Sequence, residues 1–116
     1  MNRKYLGTIV DVVVDRPLNS SHPKYPDRIY EVNYGYVPNT VSGDGEELDV
    51  YILGVDYPVN EFRGKVIAIL HRVNDNDDKL IVAKDDQNYS DEEIREKVNF
   101  IEQYFESIII RWYNFI

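Results

Sequence analysis

The chain has no cysteine among its 116 residues, which removes disulfide frameworks, thiolate zinc sites and cysteine nucleophiles together. Histidine is nearly absent: His22 and His71 lack a second ligand at the helical spacing that zinc enzymes use, so both read as structural or surface residues. Positive charge is in deficit, with 13 Lys and Arg against 21 Asp and Glu and a formal net charge of −8, which argues against nucleic acid as a partner. No apolar run reaches the roughly 18 residues of a membrane-spanning helix, and none follows Met1-Asn2-Arg3-Lys4 to make a secretory leader. The expectation is a soluble, cytoplasmic protein with no membrane partner. Repeats, low-complexity segments and linkers are also missing, so the length predicts a single domain over residues 1–116. Ser20 and Ser21 have no nucleophile-elbow context, so a serine hydrolase finds no support.

What the chain does have is apolar and aromatic: hydrophobic residues make up 43% and aromatics 13%, with ten Tyr, far too many for a disordered acidic chain. From Tyr5 to Asp15, Ile9, Val10, Val12, Val13 and Val14 read as a long strand buried on much of both faces. Pro17, Pro23 and Pro26 make Pro17 to Arg28 a loop. Ile29 to Tyr36 reads as a second strand, with Tyr30, Val32, Tyr34 and Tyr36 on one face at period two. Leu48 to Leu53, Lys65 to Leu70 and Lys79 to Ala83 supply three more, and five strands in series suggest a small barrel.

A helix begins after Ser90, where Ser90-Asp91-Glu92-Glu93 has the capping-box pattern. Ile94, Val98, Ile101 and Phe105 then fall on one stripe that should pack on the barrel. The tail after Glu106 is too apolar to be left in water, which predicts packing on another element or another subunit; a homo-oligomer is the expectation.

Chemistry concentrates in Asp44-Gly45-Glu46-Glu47-Leu48-Asp49-Val50, four carboxylates where a loop becomes a strand. Like charges so close are either splayed into solvent or assembled around a cation, and the residues alone leave both open. A second acidic run, Asn74-Asp75-Asn76-Asp77-Asp78, lies between two strands. Neither run has the EF-hand spacing. A small barrel could bring both to one rim. Oxygen-only donors select hard cations such as Mg²⁺, which is held by a few carboxylates, waters and substrate phosphates. Phosphate chemistry also needs donors and cations, for which Lys24, Lys79, Tyr34 and Tyr104 are candidates.

These motifs, spread over roughly Val12 to Phe105, resemble the family I soluble inorganic pyrophosphatases, Mg²⁺-dependent enzymes built on an OB-like five-stranded barrel with helices packed outside. The stretch from Asp44 to Val50 is similar to the family motif, with Glu46 standing where the family has the Asp that ligates metal and is thought to accept the proton of the attacking water. Asn33-Tyr34-Gly35-Tyr36 matches the family's Asn-Tyr-Gly-Tyr, and Tyr30 its earlier active-site Tyr. Asp15 and Lys24 match a Glu and a phosphate-binding Lys at the same separation, and Asp77-Asp78-Lys79 an Asp-x-Lys. Asp75, in preference to Asn74, matches the metal-ligating Asp before it, and Tyr104 the late phosphate-binding Tyr on the C-terminal helix.

The resemblance implies an α+β fold, an OB-like five-stranded β-barrel with a C-terminal helix packed on it, forming one pyrophosphatase-like domain. It implies a diphosphatase that hydrolyses inorganic pyrophosphate, or a related small phosphate compound, with Mg²⁺ or else Mn²⁺. Asp15, Asp44, Glu46, Asp49, Asp75 and Asp77 would ligate metal; Glu46, Asp44 and Tyr34 would serve catalysis; Lys24, Tyr30, Tyr34, Lys79 and Tyr104 would hold phosphate. Three departures bear on rate: Glu46 is one carbon longer than Asp, Phe105 stands where the family has a phosphate-binding Lys, and the hairpin carrying a phosphate-binding Arg is absent, with Arg28 or Arg16 as its stand-in. A barrel of this kind that binds a phosphate compound or a protein partner with little or no turnover is the alternative.

Overall fold

Val10, Val12 and Val14 alternate with Ile9, Asp11, Val13 and Asp15, so a pleated strand buries the first set and turns the second outward. In the computed structural model, which describes residues 2–42 and 45–112, that strand is β1 (Ile9–Arg16). Ile9 and Val13 stay 44% and 38% exposed, so β1 is buried on one face and not on both, as the valine run suggests. Of the sequence-derived site residues, Asp44 lies outside the described residues.

The other strands are β2 (Asn33–Val37), β3 (Leu48–Ile52), β4 (Glu61–Arg72) and β5 (Asp77–Ala83). β1 pairs antiparallel with β2, β2 with β3, and β5 with β4, while β3 and β5 run parallel. The first half of β4 pairs back onto β1, with Ile9 opposite Lys65 and Val13 opposite Glu61, which closes five strands into a barrel. β4 is longer than the apolar run Lys65 to Leu70 suggests because its ends pair with different partners. Beyond Ala68 it turns the edge that β1 has left to β6 (Ser107–Ile110), with Ile69 opposite Ile110 and Arg72 opposite Ser107. The first part of the apolar tail thus packs on the chain's own sheet, where burying Ile110 removes it from water.

Two apolar layers hold this together. Val12, Leu48, Val50, Ile52, Ile69, Leu80 and Val82 fill the barrel interior. Tyr51, Leu53, Ala68, Leu70 and Ile81 point the other way and meet Ile94 and Val98 of the helix α1 (Asp91–Glu102). The capping box forms: Ser90 Oγ accepts from the Glu93 amide at 3.1 Å, and the Ser90 amide donates to Glu93 Oε1 at 2.9 Å. α1 ends before Phe105, so the buried stripe is completed by Glu102, four residues after Val98, and not by Phe105 as the spacing suggests.

The Asn33-Tyr34-Gly35-Tyr36 stretch has a structural reason at two positions. Buried Asn33 ties two loops to the barrel: its Oδ1 accepts from the Leu18 and Val59 amides at 2.9 and 3.2 Å, and its Nδ2 donates to the Tyr57 carbonyl at 2.9 Å. Gly35 lies where β1 crosses β2 so closely that a Cβ would run into the Val13 carbonyl, 2.8 Å from its carbon and 2.9 Å from Val14 Cα.

Candidate active site

Strand register explains which polar groups meet. Asp49 is opposite Lys79 across β3 and β5, Arg72 is opposite Asp77 across β4 and β5, and Asp77 and Lys79 share a face two residues apart. Because Val50 and Leu80 point into the barrel, this polar face is the outer wall beside the C-terminal end of α1, and not the barrel mouth. Lys79 is 4% exposed, and its Nζ lies 2.5 Å from Asp49 Oδ2 and 3.0 Å from Asp77 Oδ2. Tyr34 lies diagonal to Asp49 on the same wall, with Lys79 Nζ 5.8 Å from its ring centre, and Tyr30 packs on Tyr34 at 5.5 Å between ring centres.

Behind them sits a buried triad. Arg72 donates from Nη2 to Glu102 Oε2 at 2.6 Å and from Nε to Glu102 Oε1 at 3.1 Å, and Tyr51 donates its hydroxyl to Glu102 Oε2 at 2.6 Å. Arg72 Nη1 also reaches within 3.8 Å of Asp77, and the Phe105 ring covers the guanidinium at 3.7 Å. Burial works against the charged guanidinium, but the hydrogen bonds and charge of Glu102 outweigh it and hold Arg72 above its ordinary range. With Asp49, Asp77 and Glu102 against Lys79 and Arg72, the wall carries one net negative charge.

The Tyr hydroxyls respond to the same wall. Burial, then Asp49, pushes Tyr34 well above its ordinary value of 10.0; burial, then Glu102, does the same for Tyr51; burial raises Tyr30. A raised phenol stabilises the fold fully below the unfolded value, and that contribution is lost as pH climbs from there through the folded value. Stability should therefore fall once pH passes about 10, the value of the free phenol. Alkaline titration followed by circular dichroism checks this, and Tyr51→Phe should lessen the fall.

The remaining sequence-derived residues are distributed unevenly. Asp15 is on the outward face of β1, ion-paired with Arg16 at 3.6 Å, and both act electrostatically on Tyr30. Lys24 belongs to the 17–28 loop, where Arg28, Arg16 and Lys24 join burial in depressing His22, whose ring stacks parallel to Tyr30 at 6.1 Å. A positively charged loop thus borders the acidic wall. Glu46 is exposed in the turn before β3. Asp75 is exposed in the β4–β5 turn, while the position facing Asp77 belongs to Arg72. Tyr104 lies beyond the end of α1, 56% exposed, and stacks on Arg28 at 4.0 Å; it too stays off the wall. Arg28 is clamped between Tyr104 and Tyr25, each 4.0 Å away. Among the described residues no three acidic or histidine side chains converge on a point.

Sequence reading missed Arg72, Tyr51 and Glu102. One signal was available, since Glu102 puts a carboxylate on the buried stripe of α1 and such a group demands a partner.

Known proteins place the chain in a family. A family model for inorganic pyrophosphatase matches residues 11–115. The inorganic pyrophosphatase of Saccharolobus solfataricus is 31% identical over 118 residues, covering 87% of this chain and 64% of the relative. Inorganic pyrophosphatase 1 of Pseudomonas syringae pv. tomato is 38% identical over 63 residues, 50% of this chain and 35% of the relative. The chain therefore spans between about a third and two thirds of the length of these curated relatives. Among solved structures, the Ehrlichia chaffeensis inorganic pyrophosphatase superposes with a TM-score of 0.65 at 20% identity, covering 88% of this chain and 84% of that one. The Neisseria gonorrhoeae inorganic pyrophosphatase gives 0.62 at 25% identity, with coverage of 84% and 74%. The fold is thus the OB-like α+β barrel of these structures, and the chain belongs to the family I soluble inorganic pyrophosphatases.

Proposed function

We propose that the chain hydrolyses inorganic pyrophosphate to two orthophosphates at the wall formed by Tyr34, Asp49, Asp77 and Lys79, with Mg²⁺ as its divalent ion and Mn²⁺ as a substitute. The observation that carries this reading is the buried Lys79 ammonium held between Asp49 and Asp77 beside the Tyr34 hydroxyl. Lys79 fills the point between the two carboxylates, so a hard cation would meet Asp49 on the side that solvent reaches, with an oxygen donor set. Asp49, whose side chain is 33% exposed, would hold the ion with waters completing its shell, and Asp44, Glu46 and Asp15 enter as ligands by the family resemblance alone, since no three acids converge among the described residues. When bound, it would offset substrate charge and lower the pKa of a ligated water.

The chain's own groups account for the rest. Pyrophosphate is an anion and the wall is net negative, so binding needs the donors arranged around it: Lys79 Nζ, the Tyr34 and Tyr30 hydroxyls, Lys24 on the bordering loop and Arg16 at the end of β1. The raised Tyr34 hydroxyl stays protonated at neutral pH and can donate to a phosphate oxygen. As water adds to one phosphorus, Glu46 takes its proton, the bond from that phosphorus to the bridging oxygen breaks with its electron pair staying on that oxygen, and the second phosphate departs carrying it. Lys79 offsets the charge that builds there. The exposed Ile108 on β6 and nearby Trp112 support assembly into a homo-oligomer, which we place in the cytoplasm.

Phosphate release from pyrophosphate, polyphosphate and nucleotides, each with Mg²⁺ and with Mn²⁺, tests the proposal. Pyrophosphate with Mg²⁺ should be the fastest of the panel. Release no faster than in buffer rejects hydrolysis, and a nucleotide turned over faster than pyrophosphate rejects the substrate.

A further inference from the structure

We infer that Arg72 is a resident cation that satisfies Asp77 from within the fold, so that Asp77 is not a metal ligand and the free chain takes up one divalent ion, at Asp49, where its acidic residues would suggest several.

Three observations carry this. First, the cross-strand register puts Arg72 directly opposite Asp77, so a guanidinium and not a carboxylate faces it across the strands. Second, the guanidinium cannot swing aside. Two hydrogen bonds to Glu102 fix it, Tyr51 fixes Glu102 in turn, and the Phe105 ring lies across it. It cannot lose its proton either, and moving it would leave buried Glu102 uncompensated. Third, the two carboxylates that share Lys79 differ in access. The Asp77 side chain is 9% exposed and faces Lys79 on one side and Arg72 on the other, whereas that of Asp49 is 33% exposed and meets Lys79 alone among the described cations. Mg²⁺ keeps several of its waters, so it needs room at the carboxylate it binds, and of these two Asp49 offers that. Of the other acids of the second run, Asp75 is exposed in the turn and Asp78 pairs with His71.

The inference rests on the proposed reading only in taking a divalent ion to belong to the site, and its test needs no turnover. Mn²⁺ bound to the full chain without pyrophosphate is counted by calorimetry and by loss of the free-ion paramagnetic signal. The wild type should bind one ion per chain. Asp77→Asn should leave the count and affinity unchanged, while Asp49→Asn should lose the ion. Arg72→Gln combined with Glu102→Gln removes one charge of each sign, keeps net charge constant and leaves Asp77 with Lys79 alone, as Asp49 already is, so it should gain a second ion or tighten binding by about tenfold, a difference of about 1.4 kcal/mol. Circular dichroism confirms that each variant is folded, and the two Asp variants carry the test if the double variant is not. Two or more ions on the wild type, or loss of binding in Asp77→Asn, overturns the inference. An absence of phosphate release alongside the expected counts rejects hydrolysis and leaves the role of Arg72 standing.

Discussion

Lys79→Ala should lower phosphate release from pyrophosphate by a factor on the order of 10²–10³, as removal of a preorganised charge-stabilising donor does at other sites. Lys79 holds Asp49 and Asp77 at 2.5 and 3.0 Å, so its loss also turns two carboxylates on one another. Destabilisation by roughly 3 kcal/mol accompanies removal of one partner from a buried pair, and the partial exposure of Asp49 keeps it near that lower bound. Lys79→Arg separates the two effects. A guanidinium restores the charge balance but cannot place a compact point charge between the acids, so thermal stability should return largely while the rate does not. Equal recovery of both would assign Lys79 a purely structural role. The comparison needs only initial rates and melting curves on the three proteins.

Gly35→Ala should have the largest effect on the fold. The added methyl meets backbone on β1, and two paired strands cannot yield as a flexible side chain can. Overpacking of this kind destabilises by roughly 3 kcal/mol or more, which for a chain this size lowers the melting temperature by about 10 °C. The effect reaches the site, because Tyr34 and Tyr36 flank the glycine and hold the β2 side of the wall. Differential scanning calorimetry gives the shift directly. A melting temperature unchanged by the methyl would contradict the close crossing of β1 and β2.

The barrel was largely legible in the chain because its cues are local: period-two alternation, proline-rich loops and a capping box at Ser90. What escaped depends on distant pairing. β4 outruns its apolar core because β1, β5 and β6 divide its two edges, and β6 draws its stability from that pairing, which no local pattern announces. The site divides in the same way. Asp49, Asp77, Lys79 and Tyr34 lie together on the wall, and Lys24 lies in its loop beside His22. Asp75 stays exposed in its turn, and Tyr104 finds Arg28 instead. Arg72 was unreadable for the opposite reason. An arginine at the end of a strand looks solvated until Glu102, thirty residues later, folds over it.

The central claim is that Lys79, Asp49 and Tyr34 form the surface on which pyrophosphate is cleaved. A crystal structure of the chain with Mn²⁺ and a non-hydrolysable imidodiphosphate tests it most directly. The account expects a phosphate oxygen within hydrogen-bond reach of Lys79 Nζ and of the Tyr34 hydroxyl, with the ion against Asp49. An imidodiphosphate bound elsewhere on the barrel, with Lys79 still closed between its two carboxylates, would contradict it.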